Sequence, residues 1–127
     1  MEEIARSDRM LTLKAKFTLA TSSRYKAPVI TRGVIIEDTV FFGPRVITMN
    51  DKKISHRRPS IPFVAKPPRI LHGARVGGGS VLCPGTTVGE NALVGAGSVV
   101  TKDVADRAIV VGNPARVVGR VPDHEII

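Results

Sequence analysis

The sequence predicts an all-β chain whose short strands wind into a three-sided coil. Aliphatic residues fall on every sixth position: Ile70, Val76, Leu82, Val88, Val94 and Val100. Small residues follow several of them directly, and small or β-branched ones come four residues later: Ala74, Ser80, Thr86, Ala92, Ser98 and Val104. A period of six fits neither an α-helix nor an ordinary strand pair. A chain that turns a corner after each hexad needs one inward apolar side chain per side and little bulk beside it.

The same period starts earlier and is then interrupted. Ile30, Ile36 and Phe42 are spaced by six, but Ile70 follows Phe42 by 28 residues, which is not a multiple of six. We therefore predict a segment looped out at about 49–68, where four prolines make the chain irregular. This places the coils at about 28–48 and 69–105, and loops of such length are often functional.

The flanks read as short strands. Alternation of apolar and polar residues predicts a half-buried strand over 11–19. After the coils, residues 106–121 are predicted to form short strands that turn at Gly112-Asn113-Pro114. We see no convincing helix and predict one domain over 1–127.

Composition narrows the class of protein. The one cysteine, Cys83, excludes an internal disulfide. No apolar run approaches the roughly 20 residues of a membrane span, and the charged N-terminus does not resemble a signal peptide. We therefore expect a soluble, cytoplasmic protein.

The charge of the chain is uneven. The net charge is +8, and the 52–69 stretch holds six basic residues and His56 without an acid. This stretch is either a solvated basic loop or a patch for phosphorylated small molecules. Nucleic acid is the weaker alternative, because Phe63 alone offers a stacking surface there and no nucleic-acid module is present.

A short coil of this kind leaves flat sides and open strand edges. Three turns can hardly bury enough apolar surface alone. We therefore expect self-association, with a closed trimer as the natural form and clefts between its subunits.

The stretch from Val40 to Val121 resembles the hexapeptide-repeat acyltransferases, which fold as single-stranded left-handed parallel β-helices. The matching segments are 41–44, 48–51, 76–92, 94–104 and 111–117, and the last two are typical of members that use acetyl-CoA. Phe-Gly-Pro at 42–44, Thr-x-Asn-Asp at 48–51 and the basic loop after them are similar to enzymes that N-acetylate nucleotide-linked amino sugars.

The resemblance implies an acetyl-CoA-dependent acetyltransferase that acts on an amino or hydroxyl group of a sugar. It implies a homotrimer with active sites between subunits and no catalytic metal. The cofactor contacts that it carries over are Gly95, Ala96, Ser98, Thr101, Lys102 and Arg116. The two cations among them could meet phosphates.

The general base is left open by the sequence. Imidazole titrates near neutral pH, so His56 in the looped-out segment and His72 at a corner are both candidates. His124 lies in the tail and is expected to be exposed. In the amino-sugar branch no histidine is required, and Asn50 or Asp51 could orient the acceptor amine.

Two other classes compete with the acetyltransferase. One is a non-catalytic β-helix scaffold subunit. The other is a zinc protein similar to the γ-class carbonic anhydrases, for which three histidines must converge from adjacent subunits. The His-x-x-x-x-His spacing of that class is missing here.

Overall fold

The computed structural model describes residues 12–13, 18–19 and 27–127. Nearly all of its strands are two residues long, as the hexad pattern requires. They are β1 (Thr12–Leu13), β2 (Thr18–Leu19), β3 (Ile35–Ile36), β4 (Phe41–Phe42), β5 (Ile47–Thr48), β6 (Arg69–Ile70), β7 (Arg75–Val76), β8 (Val81–Leu82), β9 (Thr87–Val88), β10 (Leu93–Val94), β11 (Val99–Val100), β12 (Ala108–Gly112) and β13 (Ala115–Arg120). A short 3₁₀ helix, Asp123–Glu125, follows.

Successive strands belong to three different sheets, which form the three faces of a prism. The first face has the order β1-β3-β6-β9, the second β13-β12-β10-β7-β4-β2, and the third β11-β8-β5. Apart from the β12–β13 pair, neighbouring strands are parallel. Arg69 pairs with Thr87, so one full turn takes 18 residues, three hexads.

The core is the column of hexad residues inside this prism. Each of the six aliphatic residues from Ile70 to Val100 is at most 1% exposed, and Ile36 and Phe42 extend the column into the preceding coil. The residue before each of them points outward, because side chains alternate along a strand. The predicted inward set is confirmed.

The fourth hexad position is also buried, which explains why it is small. Ser80 and Ser98 are 0% exposed, and both hydroxyls donate to the carbonyl oxygen of Gly95, at 3.1 Å and 2.6 Å. Thr86 donates to the carbonyl of Cys83 at 2.8 Å. A hydroxyl with a main-chain partner can be buried at little cost.

The looped-out segment is present where the spacing predicts it. Ile35 pairs with Arg69, a step of 34 residues, 16 more than a regular turn. The base of the loop is a short antiparallel ladder in which Asp51 pairs with Ala65. Lys66 donates its N–H to the oxygen of Asn50 at 2.7 Å, so the extra residues leave and rejoin the prism at one corner.

The final coil departs from the predicted regular period. Val104 pairs with Val88, a step of 16, so this turn is two residues short. Val104 thereby takes an inward position, 4% exposed, on the first face. The chain then enters β12 and returns antiparallel in β13. Gly112, predicted to lie in the turn, pairs with Ala115, so only Asn113 and Pro114 lie between the paired residues.

The N-terminal strand predicted over 11–19 falls mostly outside the described residues. In its described parts, β1 pairs with β3 on the first face and β2 with β4 on the second. These two described parts therefore belong to different faces of the prism. In the part of the chain that the structure describes, no helix is long and apolar enough to cross a membrane. That the whole chain is one domain remains a prediction.

Candidate functional site

A cleft of about 310 Å³ opens at the C-terminal end of the prism, between the last corner and the β12–β13 hairpin. Lys102 comes from the corner after β11 and Arg116 from β13, and both line this cleft together with Asp103. Its apolar lining comes from Val100, Val104, Val110, Ala115 and Val117. Two of the predicted cofactor residues, 14 positions apart in sequence, therefore face one cavity.

The charge balance of the cleft favours an anion. The carboxylate of Asp103 is turned to the preceding coil, where its Oδ1 accepts the N–H of Thr87 at 2.9 Å. Thr87 belongs to β9, and the turn that follows β9 is two residues short. The carboxylate of Asp103 therefore gives the N–H of Thr87 an acceptor. Among the described residues, neither Lys102 nor Arg116 forms an ion pair, so both positive charges remain available to a ligand.

The remaining predicted cofactor residues come before and after β11 in the chain. Gly95 and Ala96 form the corner before that strand and Thr101 the corner after it; Ala96 and Thr101 are exposed. Ser98 differs from them because it is fully buried, with its hydroxyl bonded to Gly95 and accepting the N–H of Gly112 at 3.2 Å. The carbonyl oxygen of Ser98 accepts the N–H of Val81 at 2.8 Å, so neither its side chain nor its carbonyl is open to a ligand.

Asn50 and Asp51 stand at the base of the loop. The side-chain Nδ2 of Asn50 donates to the carbonyl of Arg32 at 3.0 Å, which fixes the orientation of the amide. Within the described residues no hydrogen bond reaches its Oδ1, which is free to accept one from a ligand. Asp51 is exposed. The base of the loop therefore carries two side chains with oxygen acceptors, at consecutive positions.

His56 lies near the tip of the same loop. It is exposed, and its main-chain oxygen accepts the guanidinium of Arg58 at 2.7 Å. The turn is closed by the N–H of Arg58, which donates to Ser55 at 2.8 Å. No hydrogen bond to a described residue occupies the His56 ring, so this imidazole is available for proton transfer.

His72 lies at a different corner, between the first and second faces, and its ring is occupied. Nδ1 is 3.2 Å from the hydroxyl of Thr39, and Nε2 is 3.1 Å from the main-chain oxygen of Ile127. The side chain of Asn91 also holds Ile127. Its Nδ2 donates to the main-chain oxygen of Ile127 at 3.1 Å, and its Oδ1 accepts the N–H of Ile127 at 3.0 Å. The structure thus joins His72 to the C-terminal segment and separates it from the loop that carries Asn50, Asp51 and His56.

The sequence analysis named Val100 and Val104 for their period but assigned no valine to a cleft, and it did not predict the contacts of the C-terminal segment. Arg75 donates to Glu125 at 2.6 Å, and Val121 is 2% exposed, so this segment is packed against the prism. His124 is exposed, as expected. In residues 27–127 no group of three or more His, Cys, Asp or Glu side chains is arranged to hold a metal ion.

Comparison with known proteins places this geometry in context. Residues 67–102 match the family model "Bacterial transferase hexapeptide (six repeats)". A dTDP-3-amino-3,6-dideoxy-alpha-D-galactopyranose 3-N-acetyltransferase of Aneurinibacillus thermoaerophilus is 52% identical over 52 residues, 41% of this chain and 27% of the relative. The galactoside O-acetyltransferase of Escherichia coli is 32% identical over 94 residues, 72% of this chain and 46% of the relative.

Solved structures agree with the sequence relatives. A hexapeptide-repeat acetyltransferase from Vibrio cholerae superposes with a TM-score of 0.67 at 31% identity, over 76% of this chain and 57% of that one. The chain spans less than half the length of the two curated relatives named above. The fold predicted from the sequence, a left-handed parallel β-helix, is confirmed. Residues 67–102 match the hexapeptide repeat of this transferase family, and 76% of the chain is similar to a hexapeptide-repeat acetyltransferase.

Proposed function

We propose that this protein is an acetyl-CoA-dependent acetyltransferase whose acceptor is an amino or hydroxyl group of a sugar, with a nucleotide-linked amino sugar as the preferred acceptor. The observation that carries the proposal is the C-terminal cleft, where Lys102 and Arg116 converge over an apolar lining. The printed activities of the relatives, sugar N- and O-acetylation, support the same reaction class.

The cleft suits the donor for two physical reasons. Coenzyme A carries phosphates, which two cations without protein ion pairs can bind through charge-assisted hydrogen bonds. It also carries adenine and a pantetheine arm, for which the exposed Val117 and the half-buried Ala115 offer apolar surface. Gly95 and Ala96 precede β11 and Thr101 follows it, and the arm is proposed to run from the cleft along these residues.

The reaction requires an acceptor that loses a proton. The lone pair of the acceptor nitrogen or oxygen attacks the thioester carbon, the carbon–sulfur bond breaks, and the thiolate leaves. We assign the departing acceptor proton to His56, whose ring is free, and not to His72, whose two nitrogens have partners. We assign to the Oδ1 of Asn50, whose amide is held by the bond of Nδ2 to the carbonyl of Arg32, a hydrogen bond from the acceptor amine, and to Asp51 a second such contact.

Self-association is the other part of this proposal, and the third face of the prism supports it. The outward positions of the third face form an apolar row of Val29, Ile47, Val81 and Val99. Val29 is 58% and Ile47 39% exposed. Such a row is a suitable interface for further copies, and a homotrimer would bring the loop of one subunit toward the cleft of the next.

The proposal is tested first by donor binding. Coenzyme A at millimolar concentration should raise the melting temperature of the wild type, because a ligand that binds only the folded state stabilises it. Lys102→Ala and Arg116→Ala should each reduce this shift. Arg120→Ala, also on β13 but outside the cleft, is the matched control and should preserve it.

Transfer to an acceptor is the second measurement. Release of free thiol from acetyl-CoA should depend on an added amino sugar or nucleotide-linked amino sugar. A wild-type protein that coenzyme A does not protect, and that releases no thiol with either acceptor class, would remove the proposal.

A further inference from the structure

We infer that the loop between Asp51 and Ala65 is a nucleotide-recognition element, in which Phe63 stacks on a nucleobase and the neighbouring cations bind a diphosphate. This inference rests on the proposed function, because it concerns the acceptor of that reaction. It commits to a nucleoside diphosphate as the group that the loop binds, which distinguishes a nucleotide-linked acceptor from a free sugar.

The first observation is the exposure of Phe63. This ring is 65% exposed, on a chain of 127 residues that has only four Phe, one Tyr and no Trp. An aromatic face open to solvent can stack on any nucleobase. Ile54, 72% exposed, lies on the same loop and adds apolar surface without an aromatic face.

The second observation is the base of the loop, which holds its two ends together. Asp51 pairs with Ala65, and the N–H of Lys52 donates to the oxygen of Val64 at 3.0 Å. Lys53 and Phe63 are the next residues beyond this bond, and both are exposed. The proposal places the phosphates of a nucleotide stacked on Phe63 beside this lysine.

The third observation is that the charge of the loop is of one sign and is held in place. The exposed side chains of Lys52, Lys53, Arg57 and Arg58 lie between Asp51 and Phe63 without an acid among them. Ile61 donates its N–H to Arg58 at 2.9 Å, and Arg58 bonds to His56. These turns fix the backbone before a ligand arrives, so less ordering entropy is lost on binding.

The test is a titration of the whole protein with dTDP, with thymidine and with pyrophosphate, each followed by calorimetry at low and high salt. We expect dTDP to bind more tightly than either part, and its affinity to fall with salt. Phe63→Ala should weaken dTDP roughly 10- to 100-fold, the effect expected for one lost base stack. Phe63→Tyr should stay within about twofold, because the tyrosine ring also stacks, and Ile54→Ala, the matched apolar control, should leave dTDP binding unchanged.

Three outcomes would overturn this inference about Phe63. Equal dTDP affinities of the wild type and Phe63→Ala would overturn the inference, as would a Phe63→Tyr protein as weak as Phe63→Ala. A change in sedimentation of Phe63→Ala that accompanies lost affinity would assign the ring to a contact with a second copy and also overturn it. Protection by coenzyme A, measured on the same preparations, reports separately on the proposed function.

Discussion

Gly77→Ala tests how closely the coils are stacked at the corner beside the proposed donor site. A Cβ atom on Gly77 would lie 2.5 Å from the nitrogen and 2.8 Å from the Cα of Ala96, and 2.9 Å from the oxygen of Val94. All three are main-chain atoms of the next coil, so none can rotate away. Contact distances of roughly 3.5 Å would require the coils to separate by about 1 Å.

Separating the two coils would lower the free energy of unfolding. It would stretch the hydrogen bond from Gly77 N–H to Val94, now 2.8 Å long. We expect the free energy of unfolding to fall by about 3 kcal/mol, the upper end for overpacking, and the melting temperature by roughly 10 °C for a chain of this length. Because Ala96 is proposed to contact the donor, protection by coenzyme A should weaken as well.

Gly79→Ala is the matched control from the same corner. A Cβ there would meet no atom within 4 Å, but the backbone has φ +72°, which costs a side chain about 1 kcal/mol. Urea and thermal unfolding should be measured at equal protein concentration, since association contributes to stability. A Gly77→Ala protein no less stable than Gly79→Ala would refute the close stacking of the coils.

Three further predictions follow from the site and the surface. His56→Ala should lower kcat at least tenfold with an unchanged melting temperature, whereas His72→Ala should chiefly lower the melting temperature; the reverse pattern in the two assays would exchange their roles. Asp103→Ala should lower the free energy of unfolding by about 1 kcal/mol, measured in urea, because the N–H of Thr87 loses its acceptor; no change would mean that water replaces the carboxylate fully. Ile47→Lys on the third face should shift sedimentation toward smaller species, while Thr87→Lys on the first face should not, and equal profiles would place the interface elsewhere.

The core could be predicted from the sequence because each hexad forms one side of the prism. Leu82 and its equivalents recur with the geometry of the turn, so their burial depends on local spacing alone. The loop could be located in the same way, from a spacing that is not a multiple of six. The ladder and turns of the loop depend on contacts between residues such as Asp51 and Ala65. These contacts do not recur along the sequence, so no periodic pattern predicts them.

The candidate site was less predictable. The family resemblance predicts Lys102 and Arg116 as cofactor contacts. They line one cleft only because β13 returns antiparallel to β12. Ser98 belonged to the same predicted set, yet its hexad position turns the hydroxyl inward. His72 could not be told from His56 by residue type, because the partners of its ring come from 33 and 55 positions away.

The sequence by itself determined that this chain coils, where the coil is interrupted and which aliphatic residues fill it. These features repeat at fixed short intervals, and a repeated local geometry can be recognised in one dimension. Tertiary structure decided the shortened last turn, the cleft at the C-terminal end of the prism and the hydrogen bond between His72 and the C-terminal segment. Each of these joins residues from different turns, and their distances in space depend on how the coils are stacked.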